Sequence, residues 1–202
     1  MSDYTIAILG GGPGGYVAAI KAAQLGAKTV LIERGEVGGV CLNEGCIPTK
    51  TLLKSAKVYQ DILNSKAYGI KIGTQGEISL DWGAMLRRKD RVVGQLTSGV
   101  RHLLQRSGVE VVNGYGKVQD PRTIMVDDRI ISADNLIIAT GSRPNIPPIL
   151  GLEASLQEGF AVTSTGALNF QTIPDEVVVV GGGVVGIEFA ALFNALGRKV
   201  TV

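Results

Sequence analysis

Two glycine-spaced turns, one near each end of the 202-residue chain, restrict its fold more than any other feature. Gly10, Gly12 and Gly15 follow the apolar run from Tyr4 to Leu9 and open a helical stretch that stops near Gly26. Gly181, Gly183 and Gly186 follow Val177 to Val180 and open a second helical stretch that runs to Leu196. In such a string the first glycine makes the tight turn out of a strand. The second lets the backbone approach a pyrophosphate, and the third lets the helix close on the strand. The helix start then presents amide N–H groups and a partial positive charge to the phosphates. A further strand is expected from Lys28 to Glu33, and its terminal carboxylate can take both hydroxyls of an adenosine ribose.

Between the two turns the pattern predicts a helix from about Cys41 to Leu63, loops around Gly69 to Gly76, and one long helix from Asp81 to Ser107. That long helix carries Trp82, Met85, Leu86, Val93, Leu96, Val100, Leu103 and Leu104 at helical spacing, which reads as packing surface. Short strands are expected at 109–112, 116–118, 123–126, 129–131 and 136–139, with Asp127-Asp128 as a hairpin tip. Pro144, Pro147 and Pro148 then punctuate a linker. The fold class is α/β. A Rossmann-like domain with a parallel sheet plus a small antiparallel meander occupies 1–146. The start of a second Rossmann-like domain occupies 147–202, and Val202 falls inside this second unit. The expectation is therefore an N-terminal portion of a longer protein.

Charge and composition remove several function classes. The net charge is +2 with no basic run, which argues against nucleic acid. No apolar stretch reaches the length of a membrane span. The start, Met1-Ser2-Asp3-Tyr4, lacks the basic and apolar regions of a signal peptide, so a cytoplasmic location is expected. Two cysteines and one histidine make a poor zinc set, and no metal site is expected.

Cys41 and Cys46, the only cysteines, lie five positions apart. On a regular helix that spacing turns them about 140° from one another. Pro48 withholds an N–H from a continuous helix and crowds the carbonyl of Glu44, and Gly45 adds backbone freedom, so distortion there would let the sulfurs meet. The bland alternative is a pair of buried, inert thiols. Gly38-Gly39 before the pair and Pro48-Thr49-Lys50 after it argue for redox chemistry instead.

With these residues in view, the chain resembles the flavin-dependent pyridine nucleotide-disulfide oxidoreductases, and most of all their dihydrolipoamide dehydrogenase branch. The likeness rests on the first glycine turn, Glu33, the block Cys41 to Lys50, Asn113-Gly114-Tyr115-Gly116-Lys117, Ala139-Thr140-Gly141-Ser142, and the second glycine turn with Glu188. Leu42 and Ile47 are similar to the lipoamide branch, where glutathione and mercuric reductases tend to carry Val.

The resemblance implies FAD at the first turn and NAD at the second. Gly186 leans toward NAD, because NADP-using relatives often carry Ala there. FAD contacts would come from Gly10, Gly12, Gly15, Glu33, Arg34, Gly38, Gly39, Val40, Cys41, Lys50, Gly116, Thr140, Gly141 and Ser142. The NAD unit would use Gly181, Gly183, Gly186 and Glu188. Cys41 would be the interchange thiol and Cys46 the thiolate against the flavin. Lys50 would reach toward the flavin and pair with Glu188, which on pattern alone reads as a solvated helix carboxylate. The implied reaction is oxidation of protein-bound dihydrolipoyl groups, with lipoyl domains of 2-oxoacid dehydrogenase or glycine cleavage complexes as partners and a homodimer as the working form. The family's general base is a histidine in a C-terminal dimerisation domain outside these residues, so the 202-residue piece alone is expected to be inactive. His102, inside the long helix, reads as a surface or partly buried residue. The alternatives are another flavin disulfide reductase or a non-catalytic flavin-binding remnant.

Overall fold

The computed structural model describes residues 2–72 and 78–202. In chain order the elements are β1 (Tyr4–Leu9), α1 (Pro13–Gln24), β2 (Thr29–Glu33), α2 (Gly39–Asn43), α3 (Cys46–Leu63), a 3-10 turn at Ser65–Tyr68, and α4 (Trp82–Arg106). They continue with β3 (Glu110–Asn113), β4 (Gly116–Asp120), β5 (Thr123–Val126), β6 (Arg129–Ile138), α5 (Leu152–Gln157), α6 (Ser164–Ala167), β7 (Glu176–Val178), α7 (Val184–Ala195) and β8 (Lys199–Thr201). Part of the loop expected around Gly69 to Gly76 lies at 73–77, outside the described residues. The chain divides into two compact units, residues 1–44 with 93–143, and residues 45–92 with 144–202. Helix α4 contributes its first half to one and its second half to the other.

The first unit is built on a six-stranded sheet in the order β3-β2-β1-β6-β5-β4. Strands β3, β2 and β1 and the second half of β6 run parallel, while β4, β5 and the first half of β6 form an antiparallel meander. Thr29 to Ile32 are all buried, as expected of a parallel strand covered on both faces. Tyr4, Leu9, Val30, Ile32, Ile124, Val126, Ile131 and Ala133 form one apolar cluster that joins the parallel half to the meander.

Strand β6 corrects the sequence reading, which expected two strands with a break at Ser132 to Asn135. The break is absent because the strand changes partner there. Ser132 still pairs with Thr123 of β5, while Ala133 already pairs with Tyr4 of β1. The polar residues sit at the crossover and do not interrupt the ladder. At Asp127-Asp128 the expected hairpin tip is present, with Asp127 at φ 50°.

In the second unit, α3 packs on α7. Leu52 and Ala56 meet Phe189, Leu192, Phe193 and Leu196, with Trp82 and Leu168 in the same core. The Trp82 indole N–H donates to the Phe170 carbonyl at 2.7 Å. The parallel pair β7–β8 and α7 repeat the strand–turn–helix–strand motif of the first unit. The short helices α5 and α6 follow the proline-rich stretch and were not anticipated. Along α4, Trp82, Val100 and Leu104 are buried, whereas Leu96 and Leu103 of the same expected stripe are exposed.

The expected continuous helix from Cys41 to Leu63 is also corrected. The chain breaks at Glu44–Gly45, with Gly45 at φ −140° and ψ −107° as the N-cap of α3. Pro48 therefore falls in the first turn of α3, where the missing N–H costs no intrahelical bond. The proline does not distort a helix, because the new helix has already begun ahead of it.

Candidate functional site

In the first unit the turn geometry follows the steric demand on each glycine. Gly10 has φ +107°, and a Cβ there would lie 2.2 Å from the Ala139 carbonyl oxygen. A Cβ on Gly15 would lie 1.7 Å from the Gly10 carbonyl oxygen. Gly12 is the N-cap of α1 in extended geometry, with no side-chain cap, so the first-turn amides are left for a ligand. Among the described residues, the only atom near a Cβ at Gly12 would be Gly39 Cα at 3.8 Å, an openness of the kind a dinucleotide backbone needs.

Glu33 ends β2 directly over this turn. Its Oε2 accepts from the Gly11 amide at 2.6 Å, and its Oε1 accepts from Gly35 at 2.8 Å. These bonds fix the carboxylate against the turn. Arg34 is exposed beside it and lines a cleft of about 860 Å³ with Glu36, Arg101, Gln105, Glu110 and Asn113. Gly116 has a packing reason of its own, since a Cβ there would come within 2.4 Å of Leu9 Cδ1. Thr140, Gly141 and Ser142 leave the end of β6 exposed, with Gly141 at φ +74°.

The loop carrying Gly38, Gly39 and Val40 lies on the turn. The Gly38 amide donates to the Gly11 carbonyl at 2.8 Å, and a Cβ on Gly39 would sit 2.6 Å from Gly12 Cα. Helix α2 follows directly and carries Cys41, half-buried. Asn43 closes α2, and its amide binds the loop beneath. That side chain was missed in the sequence, as was its partner Thr97. A polar residue on the buried line of Val100 and Leu104 was the available signal.

In the second unit, Cys46 is the exposed first residue of α3, and Lys50 lies one turn further on. The Lys50 Nζ meets Glu188 Oε1 of α7 at 3.1 Å, so the expected pairing is present. The second glycine turn repeats the first. Gly181 has φ +114°, Gly183 is an extended N-cap, and a Cβ on Gly186 would fall 2.2 Å from the Gly181 carbonyl oxygen. His102 is exposed on α4, as befits a surface residue.

A cluster of perturbed groups lies at the other end of the strands. The Tyr4 hydroxyl donates to Glu110 Oε2 at 2.6 Å, and Arg129 reaches both Tyr4 and Glu110 at 2.9 Å. The Tyr4 hydrogen bond and the Arg129 guanidinium hold the Glu110 carboxyl below its usual range. Burial, then Glu110, pushes the Tyr4 phenol up. These residues begin β1, β3 and β6, away from the turn, so the network fastens strands together.

A sequence model of the pyridine nucleotide-disulphide oxidoreductases matches residues 4–202. The chain belongs to the pyridine nucleotide-disulphide oxidoreductase family. Within that family it is 51% identical over 200 residues to the dihydrolipoyl dehydrogenase of Acholeplasma laidlawii, covering 99% of this chain and 59% of that protein. It is 43% identical over 202 residues to a dihydrolipoyl dehydrogenase of Bacillus subtilis, covering 98% and 43%. The chain thus spans between two fifths and three fifths of the length of these relatives. A solved structure, the Cu(II) complex of the HOCl-induced flavoprotein disulfide reductase RclA from Escherichia coli, superposes with TM-score 0.81 at 30% identity, over 97% of this chain and 40% of that one. Like that reductase, this member of the family has a Rossmann-like sheet with helices. Among the described residues no helix is long and apolar enough to cross a membrane.

Proposed function

We propose that this chain is the amino-terminal part of a dihydrolipoyl dehydrogenase that passes electrons from protein-bound dihydrolipoyl groups to NAD through Cys41 and Cys46. The observation that carries the reading is the unbroken run from Gly38 to Lys50, set in a chain that is similar over 99% of its own length to part of an enzyme of that name. Residues 1–146 belong to the FAD-binding domain and 147–202 to the NAD-binding domain.

The residues present fit a dinucleotide. Gly10, Gly15 and Gly39 let the backbone of the turn close on itself, Gly12 leaves open space that a side chain would fill, α1 has no side-chain N-cap, and Glu33 would serve the ribose end. Arg34, Gly38, Val40, Gly116 and Thr140 to Ser142 complete the FAD contacts. Gly181, Gly183, Gly186 and Glu188 begin the NAD site. Bound FAD supplies a two-electron acceptor for the thiol pair and a donor to NAD.

The chain's own residues do the sulfur chemistry. A substrate thiolate attacks Cys41 of the Cys41–Cys46 disulfide, the S–S bond breaks, and Cys46 leaves as thiolate. The second substrate thiol then attacks the mixed disulfide. This releases Cys41 and closes the substrate's own disulfide, so two electrons now reside on the enzyme pair. Lys50, oriented by Glu188, holds positive charge near Cys46. The proposed partners are lipoyl-bearing domains of 2-oxoacid dehydrogenase or glycine cleavage complexes. A second copy would supply the histidine base, and the proposed location is the cytoplasm, a reducing compartment.

In the full-length enzyme, dihydrolipoamide is expected to reduce NAD⁺, with no reduction of glutathione disulfide. Cys46→Ser should abolish that turnover and the long-wavelength thiolate-to-flavin absorbance of the two-electron-reduced form. Survival of the band in that variant would reassign the flavin-facing thiol.

A further inference from the structure

Asn43 sits between the two cysteines, and its side chain is fully engaged within the first unit. Its Nδ2 donates toward the carbonyls of Glu36, Val37 and Gly39 at 3.3, 3.2 and 3.1 Å. Its Oδ1 accepts from the hydroxyl of Thr97 at 3.0 Å. Thr97 is only 6% exposed and comes from α4, 54 positions away. Three carbonyls on one side and a hydroxyl on the other fix which end of the amide is which, because only the NH₂ can face the carbonyls.

The backbone that this amide gathers is the piece that rests on the first glycine turn. The Gly38 amide is bonded to Gly11, and Gly39 is pressed against Gly12. Both Gly38 and Gly39 have positive φ, at +103° and +59°. A short left-handed stretch followed by a five-residue helix has little stability of its own, so its shape must be held from outside. Asn43 provides that hold from the end of α2, and Thr97 provides the rigid anchor from a long helix.

We infer that Asn43, oriented by Thr97, is a positioning residue for the thiol chemistry: it locks the 36–43 loop so that Cys41 is presented at a fixed place over the dinucleotide turn. This rests on the dihydrolipoyl dehydrogenase reading. The chemistry of Asn43 makes a distinctive demand. An aspartate of nearly the same shape would turn a carboxylate oxygen toward three carbonyl oxygens, replacing donors with repulsion. Thr97→Val removes the orienting hydroxyl at nearly constant volume, and Thr97→Ser restores it.

The test uses the full-length, FAD-loaded enzyme and two activities. Oxidation of dihydrolipoamide needs the cysteines, whereas NADH-driven reduction of ferricyanide passes through the flavin alone. Asn43→Asp and Thr97→Val are expected to lower dihydrolipoamide turnover at least about tenfold, roughly the weight of one well-made, partly buried hydrogen bond. Ferricyanide reduction and FAD content should stay within about twofold, and Thr97→Ser should recover the wild-type ratio. Iodoacetamide labelling of the two-electron-reduced enzyme, followed by peptide mass spectrometry, should show a changed alkylation rate at Cys41. Parallel loss of both activities with FAD would overturn the inference and leave Asn43 as a fold-holding residue. An unchanged ratio and an unchanged Cys41 alkylation rate would also overturn it. If wild-type enzyme itself fails to oxidise dihydrolipoamide, the functional reading fails, and the labelling result alone then decides whether Asn43 and Thr97 hold Cys41.

Discussion

Lys50 and Glu188 close an ion pair at 3.1 Å across 138 positions of sequence. The two residues stand on α3 and α7, the helices whose apolar faces, Leu52 and Ala56 against Phe189, Leu192 and Phe193, form the core of their unit. Packing therefore sets the helix register first, and the pair follows from it. Its side chains are 62% and 29% exposed, so solvent screens the attraction and the contribution to stability is small.

That division of labour yields a prediction. Glu188→Gln should change the unfolding free energy of the full-length enzyme by less than about 1 kcal/mol. The same change should lower dihydrolipoamide turnover by about tenfold, because Lys50 loses its orienting charge. Thermal unfolding and steady-state kinetics on one preparation check both halves. A large stability loss with unchanged kcat would make the pair a structural tie.

What the sequence made legible was what has a local cause. The glycine turns, β1, α1, β2 and α4 each follow from periodicity or from a residue that alone permits a turn. The departure near Glu44 and Gly45 was expected, but as a distortion of one helix caused by Pro48 and not as a break between α2 and α3. Pro48 drew attention as the disruptor, but a proline in a first turn is harmless, and the departure occurs at Gly45. Strand β6 was divided because Ser132, Asp134 and Asn135 look like turn residues, and only the partner switch explains them. Asn43 and Thr97 lie 54 positions apart, and no local pattern links them. Glu188 acquired meaning only through family resemblance, since a lone carboxylate on a helix face has the pattern of any solvated residue.

A buried ammonium gives the second prediction. Lys89 has a side chain 5% exposed, and its Nζ donates to the Leu168 carbonyl at 3.0 Å and to Asn169 Oδ1 at 2.9 Å, with Asp90 at 3.0 Å. Lys89→Met keeps the apolar stem and leaves the buried Leu168 carbonyl unpaired, while the exposed Asp90 and Asn169 turn to water. The expected cost is about 1–3 kcal/mol. It should appear as a lower denaturant midpoint at unchanged slope.

The network of Tyr4, Glu110 and Arg129 predicts a pH dependence. The Glu110 carboxyl is held low, chiefly by the Tyr4 hydroxyl, so its contribution is present above the usual glutamate value of about 4.3 and is lost as pH falls through the lower folded value. The Tyr4 phenol is raised by burial, so its contribution is present below about pH 10 and is lost as pH rises through the higher folded value. Glu110→Gln should flatten the acid limb of a stability–pH curve. Tyr4→Phe should cost about 0.5–1.5 kcal/mol at neutral pH and flatten both limbs. Equilibrium unfolding across pH checks this, and an acid limb unchanged in Glu110→Gln would assign it to other carboxylates.

Two neighbouring glycines test the reading of the first turn. At Gly15 a Cβ would lie 1.7 Å from the Gly10 carbonyl oxygen, a backbone atom that cannot swing aside. Gly15→Ala must push α1 away from β1 and open the turn, at a cost of about 1–3 kcal/mol, and the flavin content of the full-length enzyme should fall with it. At Gly14 a Cβ would meet only Ala139 Cβ at 3.9 Å, an ordinary contact. Gly14→Ala should therefore keep its flavin and gain up to about 1 kcal/mol from reduced chain entropy in the helix. Flavin absorbance per protein and the melting temperature separate the two variants. If both lost flavin equally, the closeness of helix to strand would not be what Gly15 secures. The turn would then depend on its glycines through backbone freedom alone.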